Sequence, residues 1–277
     1  MPGNGFVSWK GMTKKMNIEL LKAFQKKISE GCVAGPFMKT SDPGFVEAAG
    51  YAGMDFVILD MEHGPVGVEQ MQNNIRAAQV SGILPIVRVD NYENISKVLD
   101  IGAAGVQIPQ VSSAAEAKRA VREARYFPEG ERGVCRFVRA AHYSAMDRAE
   151  YFPTANQALV IVQLEGQEAM GNLAEIMEVE GIDILFIGPY DLSQSLGVPG
   201  QTTHPKVVGQ MQKIVAEAKA KNVLVGTFTD NYETLRMWSD AGVQYLSYSV
   251  DMGIFCEACM GIRKELEHIR SLASAEG

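Results

Sequence analysis

The residues with the clearest potential for chemistry stand in the segment FVILDMEHGP, residues 56–65, where an apolar run leads directly into Asp60, Glu62 and His63. An unpaired carboxylate or imidazole costs several kcal/mol to bury, so such groups at the end of a buried strand need partners. His63 could act as a general base, with Asp60 three residues earlier to orient its ring, although a histidine in a loop is more often a neutral, hydrogen-bonded ring. The segment therefore predicts that these groups lie close to other polar residues in one shared site.

Other apolar segments also end in charged residues. Arg88 closes LPIVRV, and its guanidinium would pair either with the carboxylate of a substrate or with a structural acid. Glu165 closes LVIVQLE, and Asp191 follows ILFIG within GPYDLSQSLG. One or two carboxylates, completed by water and substrate oxygens, commonly hold Mg²⁺ or Mn²⁺. Spacing alone leaves Glu165 and Asp191 as either two metal ligands or caps of the helix and turn that follow them.

Eight short apolar segments would position these residues as strands. Their nearly continuous hydrophobicity predicts parallel strands buried on both faces, and helical patterns lie between them, several ending in a glycine. Eight uninterrupted strand–helix units predict an α/β fold, a closed (β/α)₈ TIM barrel, whose chemistry lies at the carboxyl ends of its strands. An open doubly wound sheet is the alternative, because spacing does not show closure. The predicted strands are residues 33–39, 56–61, 84–89, 105–109, 159–165, 184–188, 224–228 and 245–249.

The chain of 277 residues is long enough for one barrel domain. We predict a tail over residues 1–15 and a single domain over 16–277, with an N-terminal helix and a last helix over roughly 255–272. One connection, 127–157, is longer than the rest. A connection of that length in a compact domain is usually functional or interfacial.

Composition excludes several other classes of function. A net charge of −7 without basic clusters argues against nucleic-acid binding. The sequence has neither an apolar run of membrane-spanning length nor a signal peptide, which predicts a cytoplasmic protein without a membrane partner. Cys256 and Cys259 form a C-x-x-C without the second pair that zinc needs, so all four cysteines are predicted to be reduced, structural thiols. The phosphate-loop and dinucleotide glycine motifs are absent.

Six motifs occur in order between about Gly35 and Asp251: LDMEHGP, PIVRV, GVQIPQVSSAAEA, RYFPEGERGV, VQLEG and FIGPYDLSQSLGVPGQ. Together they resemble the 4-hydroxy-2-oxoheptanedioate aldolase family, the metal-dependent class II pyruvate aldolases related to the citrate lyase β-subunit and to 2-dehydro-3-deoxyglucarate aldolase. The resemblance implies a barrel of the phosphoenolpyruvate/pyruvate-binding type and cleavage of a 4-hydroxy-2-oxo acid to pyruvate and an aldehyde. It also implies a homo-oligomer, trimer or hexamer, in which the last helix packs on a neighbouring subunit.

The resemblance further implies roles for individual residues. Glu165 and Asp191 would bind a divalent ion, Mg²⁺, Mn²⁺ or Co²⁺, that pyruvate chelates. Arg88 would stabilise the enolate, and His63 would transfer a proton at the oxygen of the aldehyde. Candidate orienters of His63 are Asp60 and Asp100, and candidate substrate-binding residues are Gln163, Gly188, Pro189, Tyr190 and Phe37.

The sequence departs from the family pattern at two positions. Tyr190 replaces a small residue or asparagine, and Gly166 replaces the threonine that often follows the metal-binding glutamate. The sequence therefore does not identify the acceptor aldehyde. Three alternatives remain: decarboxylation or other enolate chemistry on a 2-oxo acid at the same site, a Schiff-base aldolase that uses Lys39, and a non-catalytic barrel.

Overall fold

Eight parallel strands close into a barrel in sequence order, and the last strand pairs with the first. This computed structural model describes residues 16–275, so the predicted tail, 1–15, lies outside the described residues. Closure confirms the TIM barrel and excludes the open sheet. The strands are Val33–Met38 (β1), Phe56–Asp60 (β2), Leu84–Arg88 (β3), Gly105–Ile108 (β4), Leu159–Leu164 (β5), Ile184–Ile187 (β6), Leu224–Thr229 (β7) and Tyr245–Val250 (β8).

Every strand was predicted to within one residue at each end. β2 through β6 are buried at all positions, as expected for parallel strands with helices outside and packed side chains inside. The helices are Met16–Glu30 (α1), Pro43–Tyr51 (α2), Val68–Ser81 (α3), Glu93–Asp100 (α4), Ala114–Ala124 (α5), Arg148–Ala155 (α6), Gln167–Gly171 (α7), Leu173–Ile176 (α8), Pro189–Ser195 (α9), Pro205–Ala220 (α10), Tyr232–Ala241 (α11) and Asp251–Ala275 (α12).

Side chains alternate along each strand between the barrel interior and the layer beneath the helices. In β2, Phe56 and Ile58 belong to the inner cluster, whereas Val57 and Leu59 belong to the outer one. Helix α1 closes the amino end of the barrel, where the ring of Phe24 meets those of Phe56 and Tyr245 at centroid distances of 6.0 and 6.3 Å. Apolar side chains fill most of that end, whereas Asp60 and Arg88 lie at the other ends of β2 and β3.

Helix boundaries follow local signals. Asp42 and Ser113 cap α2 and α5 by accepting the backbone N–H groups of Gly44 and Glu116. The glycines predicted to end five helices have positive φ, between 78° and 101°. They are Gly53, Gly82, Gly102, Gly181 and Gly242.

Three segments differ from prediction. The helix expected after β5 is divided into α7 and α8. The long connection contains a tight turn over Arg139–Ser144 and then α6, neither of which was predicted. The last helix, α12, begins at Asp251, before the expected residue 255, because its first residue directly follows β8.

The outer part of α12 is exposed and carries large apolar side chains. Phe255, Met260, Ile262, Leu266 and Ile269 are each about half or more accessible to solvent in the single chain. Of the helices within residues 16–275, none is both long enough and apolar enough to cross a bilayer. The apolar face of α12 therefore requires a different explanation.

Candidate active site

The polar residues at the carboxyl end of the barrel lie in the same alternating rows as its inner core. Asp60 continues the row of Phe56 and Ile58 in β2, and Arg88 continues the corresponding row in β3. The register places Asp60 beside Arg88, and Arg88 beside Gln107 of β4. All three side chains are nearly or fully buried. Strand periodicity thus delivers them to one layer at the mouth.

A bidentate ion pair joins β2 to β3. Arg88 donates from Nε and Nη2 to the two carboxylate oxygens of Asp60, at 2.8 and 2.7 Å. The same carboxylate accepts the backbone N–H groups of Glu62 and His63, at 3.0 and 3.3 Å. The ammonium of Lys39 lies 3.9 Å from it. Asp60 therefore fixes both the guanidinium and the turn that leaves β2.

Arg88 keeps donors for a further partner. Its Nη1 lies 2.9 Å from a carboxylate oxygen of Glu62, and its guanidinium carbon lies 4.6 Å from the centroid of the Phe37 ring. An arginine side chain has five N–H donors. Two of them donate to Asp60, and the contact of Nη1 with Glu62 is an ion pair without hydrogen-bond geometry. Nη1 therefore keeps donors for an oxygen of a ligand. Phe37, predicted to bind substrate, lies under Arg88 in the interior and supports it through a cation–π contact.

A chain of amides leads to Glu165. Gln107 donates from Nε2 to Oε1 of Gln163 at 2.5 Å, and Gln163 donates from Nε2 to the carboxylate of Glu165. These donations fix the orientation of both amides. Gly188 makes room for the acid, because a Cβ there would lie 3.0 Å from Cγ of Glu165.

Glu165 lies in a negative environment. Burial, followed by repulsion from Asp191 and Glu62, raises the pKa of Glu165 to about 7. The Glu165 side chain is buried, whereas Asp191, in the first turn of α9, is exposed at the mouth. Within residues 16–275, neither carboxylate forms an ion pair with a lysine or arginine. Neither acid caps a helix, since Gly166 and Gly188 occupy the N-cap positions of α7 and α9 without a side-chain bond. The capping interpretation was wrong.

A divalent cation fits the donors present here. Two repelling carboxylate groups, one of them buried, are hard oxygen ligands whose mutual repulsion a positive ion would remove. The described residues contain no group of three or more histidine, cysteine or acidic side chains that could bind a metal. Water and substrate oxygens would therefore supply the remaining ligands, as is usual for Mg²⁺.

Tyr190 forms part of the rim. It is 44% exposed, its hydroxyl donates to Asp230 at 2.5 Å, and its ring lies 5.9 Å from that of Phe228. The hydrogen bond to Asp230 raises the pKa of Tyr190 to about 12, so the hydroxyl stays protonated at neutral pH. Pro189, the preceding residue, is buried as the first residue of α9.

Two predicted roles differ from the observed positions. Asp60 contacts the backbone of His63 rather than its imidazole, because its carboxylate is taken by Arg88; the Nε2 atom of His63 lies 3.8 Å from Glu62 instead. Asp100 is absent from this mouth. It ends α4, and helices run antiparallel to strands, so it lies toward the amino end of the barrel, where its carboxylate pairs with Arg132 at 2.5 Å. Asp100 as an orienter of His63 is therefore wrong within this chain.

Three contributors had no predicted role. Glu62 contacts Arg88 and accepts a bond from Gln110, and Gln107 orients Gln163. Asp251 accepts the backbone N–H groups of Lys39 and Thr40, which ties α12 to the end of β1. The usable signal for Gln107 was a polar side chain at an inward position of an apolar strand. For Asp251 it was an acid directly after β8.

All four cysteines are free, which agrees with the predicted reduced state, and all four are exposed. The helical C-x-x-C pair, Cys256 and Cys259, lies on the exposed part of α12.

A closed parallel barrel whose charged groups gather at the carboxyl ends of its strands has the arrangement of a TIM-barrel enzyme. The chain belongs to the HpcH/HpaI aldolase/citrate lyase family, whose model matches residues 34–258. The predicted resemblance is therefore confirmed, and the chain is a lyase of the aldolase type.

Two curated relatives and one solved structure illustrate the similarity. The hydroxypyruvate/pyruvate aldolase of Roseobacter denitrificans is 35% identical over 84% of this chain and 93% of its own length. The 4-hydroxy-2-oxo-heptane-1,7-dioate aldolase of Salmonella typhimurium is 33% identical over 82% and 87%. The structure of a HpcH/HpaI aldolase/citrate lyase family protein from Burkholderia cenocepacia superimposes with a TM-score of 0.82 at 30% identity, covering 91% of this chain and 99% of that one.

Proposed function

We propose that this chain cleaves a 4-hydroxy-2-oxo acid to pyruvate and an aldehyde with the help of a divalent ion, Mg²⁺, Mn²⁺ or Co²⁺. One observation carries the proposal: Glu165 and Asp191 repel each other at the same mouth where Arg88 keeps N–H donors that its hydrogen bonds to Asp60 do not use. The names of the two curated relatives support the substrate class, since each contains a 2-oxo acid.

Glu165 and Asp191 would hold the ion. When bound, it would supply Lewis-acid polarisation of the 2-oxo group. The amide of Gln163, oriented by Gln107 and Glu165, would contribute to binding of the pyruvate portion, at a wall formed by Gly188 and Pro189.

Arg88 would stabilise the negative charge that develops on the 2-oxo oxygen as the C3–C4 bond breaks. Its guanidinium is held in place before substrate binds, by Asp60, Glu62 and the ring of Phe37. Donors that need no reorganisation stabilise a transition state more effectively than mobile ones.

His63 would accept the proton of the 4-hydroxyl group, through an ordered water, as the aldehyde forms. The electron pair of the C3–C4 bond becomes that of the enolate, and the same proton can return to C3 to give pyruvate. Glu62, 3.8 Å from the imidazole, would take the orienting role that the sequence assigned to Asp60.

We further propose that the protein is a cytoplasmic homo-oligomer, trimer or hexamer, assembled in part through α12. Phe255, Cys259, Ile262, Leu266 and Ile269 follow one another at alternating spacings of four and three, the pattern of a helix seam. An exposed apolar stripe on a long helix typically marks a protein interface.

Pyruvate release from a panel of 4-hydroxy-2-oxo acids tests the reaction. The enzyme is first treated with EDTA and then supplied with Mg²⁺, Mn²⁺ or Co²⁺. Activity should disappear with EDTA, return with metal, and be lost in Glu165→Gln and Asp191→Asn. Glu168→Gln, which changes an exposed acid on α7, is the matched control. Full activity in excess EDTA, or trapping of Lys39 by borohydride and pyruvate, would overturn the proposal.

A further inference from the structure

A cavity of about 380 Å³ lies at the amino end of the barrel, away from the proposed active site. It is bounded by α1, by the end of α4 and by the connection that contains α6, and Ala104 and Ala158, immediately before β4 and β5, form part of its lining. The six residues of β5 separate it from Glu165 by roughly 20 Å. Its volume falls within the usual range for small-molecule sites, about 300–1,000 Å³.

The charged groups of this cavity are positive. Among the residues of 16–275 that line it, none is an aspartate or glutamate, whereas Arg132 and Arg139 are both present. Arg132 is almost completely buried and pairs with Asp100, yet its Nε has no hydrogen-bond partner. An unpaired buried N–H group is costly and points to a missing acceptor.

Arg139 provides the second positive group. Its Nη1 donates to the carbonyl of Ile101 at 2.9 Å, and its Nη2 donates to the amide oxygen of Gln79. Neither partner carries a negative charge, and within residues 16–275 no carboxylate forms an ion pair with Arg139. Burial and the neighbouring Arg76 lower the pKa of Arg139. Within the described part of the chain, the guanidinium therefore lacks a counter-ion.

The backbone is shaped around this guanidinium. Gly102 has a φ of 101°, and a Cβ there would lie 2.5 Å from Nη1 of Arg139. His142, Tyr143 and Ser144 have φ values of 49°, 53° and 75°, three successive left-handed residues without a glycine among them. His142 and Tyr143 line the cavity, and Arg136 holds the turn by donating to the carbonyls of Ser144 and Met146. Such strained backbone gathers at functional sites.

Apolar side chains complete the wall. Leu21 of α1, Leu99 of α4, Met146 and Tyr151 lie on the cavity. A ligand that matched both the arginines and the apolar wall would combine an acidic head group with an apolar body.

We infer that this cavity is a second ligand site that binds a small organic anion, a carboxylate or a phosphate ester with an apolar body. Arg139 pairs with the acidic head, Nε of Arg132 offers a further donor, and the apolar wall holds the body. The inference is independent of the proposed aldolase reaction, because it uses no residue of the carboxyl end of the barrel.

Isothermal titration calorimetry on the full chain tests it with three matched probes: 3-phenylpropanoate, phenyl phosphate and the neutral 3-phenylpropanamide. We expect one or both anions to bind and the amide to bind much more weakly. Arg139→Gln should weaken anion binding by about 10-fold to 100-fold, the size of one charge-assisted hydrogen bond. Arg139→Lys should retain most of it, and whichever anion binds more tightly identifies the head group.

Three further variants locate the binding. Ala155→Trp, which fills the cavity from α6, should abolish it without touching Arg139. Arg148→Gln, at an exposed position of α6, is the control and should leave it unchanged. Binding that survives in Arg88→Gln lies outside the active site. The inference is overturned if neither anion binds at up to about 10 mM, or if Arg139→Gln and Ala155→Trp bind as the wild type does.

Discussion

Replacing Asp60 with asparagine should destabilise the folded protein by about 3 kcal/mol, because it breaks a buried ion pair from one side only. Asp60 is fully buried, and its carboxylate accepts two bonds from Arg88 and two from backbone N–H groups. Asparagine preserves the shape of the side chain and one acceptor oxygen. It removes the charge and places an N–H₂ group against Nη2 of Arg88.

The expected destabilisation depends on the contacts that Arg88 keeps in the variant. Loss of one partner of a buried pair typically costs about 3–5 kcal/mol, since it leaves an uncompensated charge. Here Arg88 still contacts Glu62 at 2.9 Å and the ring of Phe37, so the lower end of that range applies. The amide oxygen of the introduced asparagine can still accept the backbone N–H groups of the following turn.

Urea unfolding in EDTA at one fixed protomer concentration measures the change. The control is Lys27→Gln, which breaks the pair between Lys27 and Asp55. That pair is just as close, at 2.5 Å, but its lysine is 58% exposed. A surface pair contributes about 0–1 kcal/mol, so the control should change stability by less than that.

A double-mutant cycle of Asp60→Asn with Arg88→Gln measures the coupling energy between these two side chains, apart from their contacts with other residues. Because the two side chains share two hydrogen bonds, their coupling energy should exceed about 1 kcal/mol. The reasoning fails if the free energy of unfolding of Asp60→Asn lies within about 0.5 kcal/mol of the wild-type value, or if the coupling energy is near zero. Burial would then not determine the strength of this pair.

Three further predictions concern the rim, the last helix and the pH dependence. Tyr190→Phe removes the bond to Asp230 and should change the KM of the aldehyde acceptor by up to about 10-fold while proton exchange of pyruvate is unaffected; an unchanged KM for every acceptor would remove Tyr190 from the acceptor site. Ile262→Glu with Leu266→Glu should lower the oligomeric mass measured by light scattering, whereas Glu265→Gln should not, and an unaltered mass would exclude α12 from the interface. In EDTA, stability should fall as pH rises from about 4.5 to about 7, because Glu165 binds its proton more tightly in the folded state, and Glu165→Gln should remove that part of the slope; an equal slope in the variant would contradict the raised pKa.

The strands could be predicted because their signal is local and strong. Apolar runs such as FVILD, bounded by Gly, Asp or Pro, match one type of buried parallel strand, so the predicted and observed ends agree within one residue. Alternation then places Asp60, Arg88 and Glu165 on the inside, once the strand ends are known. The elements that were missed lie where local signals are weak. The turn after Arg139 is left-handed at His142, Tyr143 and Ser144, although none of these is a glycine or asparagine.

The partners of the site residues could not be predicted, because they depend on register and helix direction. A three-residue spacing made Asp60 a reasonable orienter of His63, but the pairing of β2 with β3 places Arg88 directly opposite Asp60. A charged donor with two parallel N–H groups is the stronger competitor for a carboxylate than a neighbouring imidazole. Likewise, Asp100 lies between the motifs PIVRV and GVQIPQVSSAAEA in the sequence, yet its helix returns it to the other end of the barrel.

The acids of this mouth follow closely on strand ends: Glu62 comes two residues after β2, Glu165 directly after β5, and Asp191 in the first turn of α9, which begins two residues after β6. Burial, followed by repulsion from Asp191 and Glu62, raises the pKa of Glu165, and on a mobile loop these carboxylates would move apart. Close to strand ends their separation is limited, since the sheet hydrogen bonds fix the backbone immediately before them. The two hydrogen bonds with Asp60 and the ion pair with Glu62 likewise keep Arg88 from folding over Glu165 and Asp191. The barrel thereby holds the carboxylates of Glu165 and Asp191 near the guanidinium of Arg88 without an ion pair between them. The carboxylates are then available to a metal ion and the guanidinium to a 2-oxo acid, so both ligands can bind together.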